Sequence, residues 1–364
     1  MTDAAVLRER QLRARDGMTA AGVDALLLSV GADLPYLTGY EAMPLERLTM
    51  LVLPREGDAV LVVPELEAPR VPDTGVCTVA PWPEGADPVA RVVDALDGAR
   101  KVAIGDRTWS QFTLALQAAL PGSAWVTAST VTAPLREVKD AAEVAALRAA
   151  AHAVDAVVAE MRQRPFAGRA EADVSRELVD RMLAHGHDRP NFAIVGSGPN
   201  GASPHHDAGD RVITDGDIVV CDFGGTMAGY CSDITRMFSV GEPAAEIVDT
   251  YAALAGAQEL AVQAAVVGTP LEEVDAVARR ALAPAGLADA FIHRIGHGIG
   301  LEEHEEPYLV AGNDRLLQAG HAFSIEPGVY FPGRFGMRLE DIVVATDAGP
   351  DRLNEATREL AVVG

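Results

Sequence analysis

Aspartate is a poor resident of strand interiors, because its short side chain competes for backbone hydrogen bonds. Yet this chain places one in each of two apolar runs. IVVCDFGG (218–225) carries Asp222, and GYCSDITRMF (229–238) carries Asp233. The residues between them read as a turn. A hairpin centred between residues 227 and 228 makes the two aspartates direct cross-strand neighbours, with Cβ atoms about 4.5–5.5 Å apart. Two buried carboxylates facing each other repel, so this fold needs either a proton on one of them or a cation between them.

A second pair repeats the pattern. FSIEPGVYF (323–331) carries Glu326, GMRLEDIVV (336–344) carries Glu340, and their midpoint is Gly333 in the turn-like Pro332-Gly333-Arg334. Pro327 interrupts the first of these strands, and the repetition hints at an internal duplication. Histidines add nitrogen donors. FIHRIGHGIGLEEHEEP (291–307) holds His293, His297 and His304 around Gly296, Gly298 and Gly300, and SPHHDAG (203–209) adds His205 and His206. Glycines of this kind let backbone approach a site closely. Four carboxylates and an imidazole make a hard, oxygen-dominated site that suits Mn²⁺, and carboxylates can bridge two such ions.

Thirty basic residues against 53 acidic ones give a net charge of −23. That field repels phosphate backbones and anionic lipid, so nucleic acid and membrane surfaces are excluded as expected partners. Cys77, Cys221 and Cys231 form no CxxC pair and read as reduced thiols. The N-terminal run lacks the apolar core of a signal peptide, and no stretch approaches the roughly 18–20 apolar residues that span a bilayer. The expected location is the cytoplasm.

The 364 residues suggest two domains. Residues 1–132 alternate helix signals (4–22) with strand signals (24–30, 101–106, 123–129) and a hairpin over 49–64 turning at Arg55-Glu56-Gly57. They read as an α/β unit. From 133 to 364 the texture is α+β, opening with a helix over 135–161 and continuing with helices at 243–267 and 270–285. The strands that carry the polar residues lie between and after these helices.

DFGGTMAGYCSDITR (222–236), GHGIGLEEHEEP (296–307), SIEPGVYFPG (324–333) and MRLED (337–341), in this order, resemble the metallopeptidase family of prolidase, aminopeptidase P and methionine aminopeptidase. The likeness covers the second domain, and the first is similar to the extra domain of the prolidase branch. It implies a pita-bread α+β catalytic domain preceded by a creatinase-like domain. By position, the resemblance makes Asp222, Asp233, His297, Glu326 and Glu340 the ligands of two divalent ions. Asp233 and Glu340 are the bridging ligands, and Co²⁺ or Zn²⁺ are alternatives to Mn²⁺. It makes His205, His304 and Glu326 catalytic, with His293, Tyr330 and Arg338 around the substrate, while His206 is incidental. The implied reaction is hydrolysis of Xaa-Pro bonds, by an Xaa-Pro dipeptidase or by an aminopeptidase P acting on longer peptides. Some dipeptidases of the family hold the free carboxylate with an arginine soon after HGIG. The segment EEPYLVAGND (305–314) has none, which leaves His293, Arg338 or the first domain for that task. A homodimer, in which the first domain could close one end of the cleft, is the expected assembly.

Two rivals share the fold, a partner-binding module that has lost its ligands and a metal-free amidinohydrolase. The intact five-ligand set argues against both. GSGPNG (196–201) satisfies a dinucleotide-binding pattern, but Pro199 and Pro204 forbid the helix that would hold a pyrophosphate.

Overall fold

The structure is a computed structural model that describes residues 3–96 and 98–364. It divides between Arg136 and Glu137 into two compact units. In the first, helix Ala4–Ala21 starts where the Asp3 side chain accepts from Ala5 N and ends at Gly22 in a left-handed conformation. One six-stranded sheet follows. The hairpin Met50–Pro54/Val60–Pro64 pairs Met50 with Val62, which centres it on Glu56. Ala25–Leu28, Lys101–Ile104 and Ala124–Thr127 run parallel to one another, as their helical crossovers require. Leu27, Met50, Val62 and Leu116 fill the core against that sheet.

The helix expected over 135–161 is two elements. Ser129–Arg136 closes the first unit, and Ala141–Met161 opens the second. Between them Val138 pairs with His321. Asp140 then caps the new helix, accepting from Ala142 and Glu143 N while Glu143 reaches back to Asp140 N at 3.0 Å. This reciprocal cap stabilises a start at Ala141 over continuous helix.

The second unit runs through one plan twice. Helices Ala141–Met161 and Glu171–Ala184 precede the sheet that contains the Asp222 and Asp233 hairpin; Ala245–Ala264 and Leu271–Leu282 precede the sheet that meets Glu326 and Glu340. Both second helices follow an isolated bridge, Ala170 with Val212 and Pro270 with Leu316. Two separate apolar clusters back the sheets, one around Phe166, Phe223 and Phe238, the other around Leu254, Phe291 and Phe323.

Gly198–Ala202 forms a single 3₁₀ turn, so no helix N-terminus follows the GSGPNG run. Its glycines serve packing. A Cβ on Gly336 would collide with the carbonyl of Gly201, which seats this turn on the Phe335–Arg338 strand. Gly336→Ala is expected to lose about 1–3 kcal/mol of stability, as over-packing usually does. A fall in the thermal midpoint measures it, and an unchanged midpoint would mean the turn is not locked there.

Candidate metal centre and cleft

The Asp222 hairpin turns at Ala228-Gly229, with φ of 50° and 87°, the left-handed pair that a two-residue hairpin requires. Its register pairs Thr226 with Cys231 and Asp222 with Thr235. The expected centre between 227 and 228 is therefore one residue early, and Asp222 and Asp233 are not direct partners. The correction is two positions along one strand. Side chains alternate with period two, so a two-position shift preserves the face, and the aspartates are diagonal neighbours on it.

Glu326 and Glu340 do fall about Gly333. Ile325 pairs with Asp341 and Gly328 with Arg338, so both flanks keep the register that centre demands. At the carboxylates the ladder opens. Glu326 N donates to Ile295 O at 2.8 Å and Glu340 N to Thr235 O at 3.3 Å. The same Thr235 donates its hydroxyl to Glu340 Oε2 at 2.8 Å. The two hairpins are thus joined through Thr235 and Glu340.

Asp233, His297 and Glu340 bring one donor atom each within 4.8 Å of one another, and all three are buried. Asp222 Oδ1 and Asp233 Oδ1 are buried without a hydrogen-bond partner. His297 Nδ1 faces the carbonyl of Gly298 at 3.1 Å, so it must carry the ring proton. That leaves Nε2 as a bare lone pair 3.3 Å from Glu326 Oε1 and 3.8 Å from Asp233 Oδ2. Acceptors facing acceptors need a cation or a proton between them.

The electrostatics agree. Burial, then Glu340, Asp222 and Glu326, hold the Asp233 carboxyl well above the ordinary carboxylate range. Burial, then Glu326 and Asp222, do the same to Glu340. Glu326 rises to about 7, chiefly through burial. Burial also keeps His297 neutral, down at about 3. One guanidinium, Arg338, ion-pairs one of the four acids, Asp222. This buried, oxygen-rich set with one neutral imidazole fits divalent metal ions.

Arg338 is fully committed. Its Nε donates to Thr235 Oγ1 at 3.1 Å, its Nη1 to the Tyr330 hydroxyl at 2.7 Å, and both terminal nitrogens reach Pro204 O. Tyr330 in turn lies 3.0 Å from His293 Nε2, while His293 Nδ1 faces Arg294 O at 2.7 Å. The chain of donors therefore runs from Arg338 through Tyr330 to His293, and it leaves His293 no ring N–H to spare.

These groups open on a cavity of about 710 Å³ lined by Asp222, Asp233, His297, Glu326, Glu340, Arg338, His205, His293 and His304. Tyr330 stands behind its wall. His304 packs its ring 3.8 Å from that of His297, and His205 is exposed on its loop. His206 points elsewhere, with Nε2 2.8 Å from Glu171 Oε2, and Glu171 also accepts from Ser197 and Asn200. Its work is to anchor the loop.

Sequence reasoning missed Phe192, Ile194, Ile292 and Arg294 on the cavity wall, and Thr235 beneath it. Thr235 was legible as the residue two beyond Asp233 on the same face. Phe192 and Ile194 alternate in the same way on strand Arg189–Ser197.

Residues 145–347 match the profile of metallopeptidase family M24. The chain belongs to metallopeptidase family M24. Residues 10–138 match the creatinase/prolidase N-terminal domain, so the M24 unit carries the expected creatinase-like domain ahead of it. The chain is 46% identical over 367 residues to a probable dipeptidase PepE of Mycobacterium tuberculosis, covering 99% of this chain and 98% of that one. Among solved structures, dipeptidase PepE from Mycobacterium ulcerans superposes with a TM-score of 0.93 at 47% identity, covering 100% of this chain and 99% of that one. A prolidase from Thermococcus sibiricus gives 0.90 at 36% identity, with 99% of each chain covered. An M24 chain of this build is a peptidase with the pita-bread fold, and M24 enzymes use divalent metals. Among the described residues no helix is long and apolar enough to cross a membrane.

Proposed function

We propose that this M24 chain is an Xaa-Pro dipeptidase. Asp222, Asp233, His297, Glu326 and Glu340 would hold two divalent ions, Mn²⁺ before Co²⁺ or Zn²⁺. The observation that carries the reading is the set of buried, unpartnered acceptors opening on a cavity walled by Phe192, Ile194 and Ile292. Those apolar faces suit a pyrrolidine ring, and the full-length likeness to a probable dipeptidase favours two-residue substrates.

When bound, such ions polarise a carbonyl and acidify a water. The side chains do the rest. Glu326, which lines the cavity beside His297, accepts from the attacking water and delivers to the departing proline nitrogen. His205 and His304, which line the cavity, donate toward the carbonyl oxygen as charge develops on it. Arg338 and Tyr330 fix Asp222 and His293 and take no part in proton transfer.

A cytoplasmic location and a homodimer belong to the same proposal. The three free thiols support the first, and molar mass in solution tests the second. The test of function is a pair of substrates. Ala-Pro should be cut with a kcat/KM at least about tenfold above Ala-Pro-Ala, roughly 1.4 kcal/mol of discrimination. A tripeptide cut equally well or better would make the enzyme an aminopeptidase P.

A further inference from the structure

A dipeptidase must read a free carboxylate one residue beyond the scissile bond. The cavity contains two guanidinium groups, and one of them is spent. Every nitrogen of Arg338 already donates, to Thr235, Tyr330, Asp222 and Pro204. His293 is also spent, since its Nδ1 proton goes to Arg294 O and its Nε2 accepts from Tyr330.

Arg294 is different. It lines the cavity three positions before His297, and among the described residues its guanidinium forms no hydrogen bond and no ion pair. Its Cζ lies over the ring of Tyr308, 4.3 Å from the centroid. Stacking of this kind fixes the plane of the guanidinium while leaving its N–H edge free. A fixed plane with a free edge is the geometry that takes a carboxylate through two parallel hydrogen bonds. Tyr308 belongs to the segment 305–314, which has no arginine of its own. That segment supplies the platform, and the stretch before the HGIG run supplies the charge. Arg294 is half-buried and feels the cleft acids at a distance, lowering the Glu326 pKa, yet it makes no direct ion pair with them among the described residues.

We propose that Arg294, held flat by Tyr308, binds the C-terminal carboxylate of the dipeptide and so sets substrate length. The inference rests on the dipeptidase reading, and the experiment separates the two. With Mn²⁺-loaded full-length enzyme, kcat/KM is measured for Ala-Pro and for its C-terminal amide, Ala-prolinamide. The parent should favour the acid by at least about tenfold. Arg294→Met keeps an unbranched chain over Tyr308 and should lose about a hundredfold on the acid, mostly in KM, while the amide changes by less than about threefold. Arg294→Lys retains the charge without the fork and should fall between them. Calorimetry on metal-free protein gives a readout independent of turnover. The parent should bind L-proline more tightly than prolinamide, and Arg294→Met should bind the two alike. If the parent prefers acid over amide and Arg294→Met keeps that preference, or if the variant loses both substrates equally, Arg294 is not the reader. If the parent itself treats acid and amide alike, the dipeptidase reading falls, and this assignment with it.

Discussion

Asp233→Asn and Glu340→Gln are each expected to lose at least one metal ion and to lower kcat/KM by about 10³ or more, which is roughly 4 kcal/mol of transition-state stabilisation. A neutral amide is a weak ligand for a hard dication, and these two acids converge with His297 on one point. The loss should not come from unfolding. Asp233 Oδ1 has no partner to forfeit, and in Glu340→Gln the amide oxygen can still accept from Thr235. Removing one of several mutually repelling buried charges should leave the metal-free variant at least as stable as the metal-free parent. Elemental analysis of the folded variants and thermal midpoints without metal decide the matter together. Two tightly held ions in either variant would mean the bridge is misassigned, and a collapsed midpoint would mean the acids are structural.

What the sequence disclosed, and where it stopped, follows from the range of the forces involved. Period-two alternation is local, so which face a carboxylate occupies could be read even where the register could not. The strand pattern alone centres the Asp222 hairpin one residue early, because the turn is set by which residues take positive φ. Ala228, an unusual residue for that region, hid the turn beside Gly229. The Glu326 and Glu340 hairpin does centre on Gly333, the glycine at φ 76° in that loop. The break between the two sheets was signalled only by Pro327, and the backbone bonds that Glu326 and Glu340 make to Ile295 and Thr235 are long-range facts no local pattern encodes.

The same limit explains Arg338 and Arg294. Both are arginines beside motif residues, and nothing local says which is consumed by its neighbours. Folding answered that by closing Arg338 into Asp222, Tyr330 and Thr235 and by laying Arg294 on Tyr308. His205 and His206 give a second example. Adjacent in sequence, they differ because Glu171, on a helix 35 residues before His206, reaches one and not the other.

His205→Ala is expected to leave metal content unchanged and to lower kcat by about 10²–10³, the usual scale for one donor aimed at a developing oxyanion. The loop geometry is the reason. Glu171, buried and bonded to Ser197, Asn200 and His206, pins the loop on one side. On the other side the Pro204 carbonyl accepts from both terminal nitrogens of Arg338, at 3.4 and 3.3 Å. His205 lies between these two anchors, exposed and facing the cavity, so its backbone is fixed while its ring remains available. A pre-positioned donor costs little to reorganise as charge builds on the substrate oxygen, so its removal should appear in kcat. His206→Ala is the control, because it loosens the anchor without removing the donor, and it should cost far less in kcat than His205→Ala. Steady-state kinetics on Ala-Pro, with metal stoichiometry measured on the same samples, distinguishes the outcomes. A loss confined to KM would make His205 a ground-state contact, and a loss of metal would place it among the ligands.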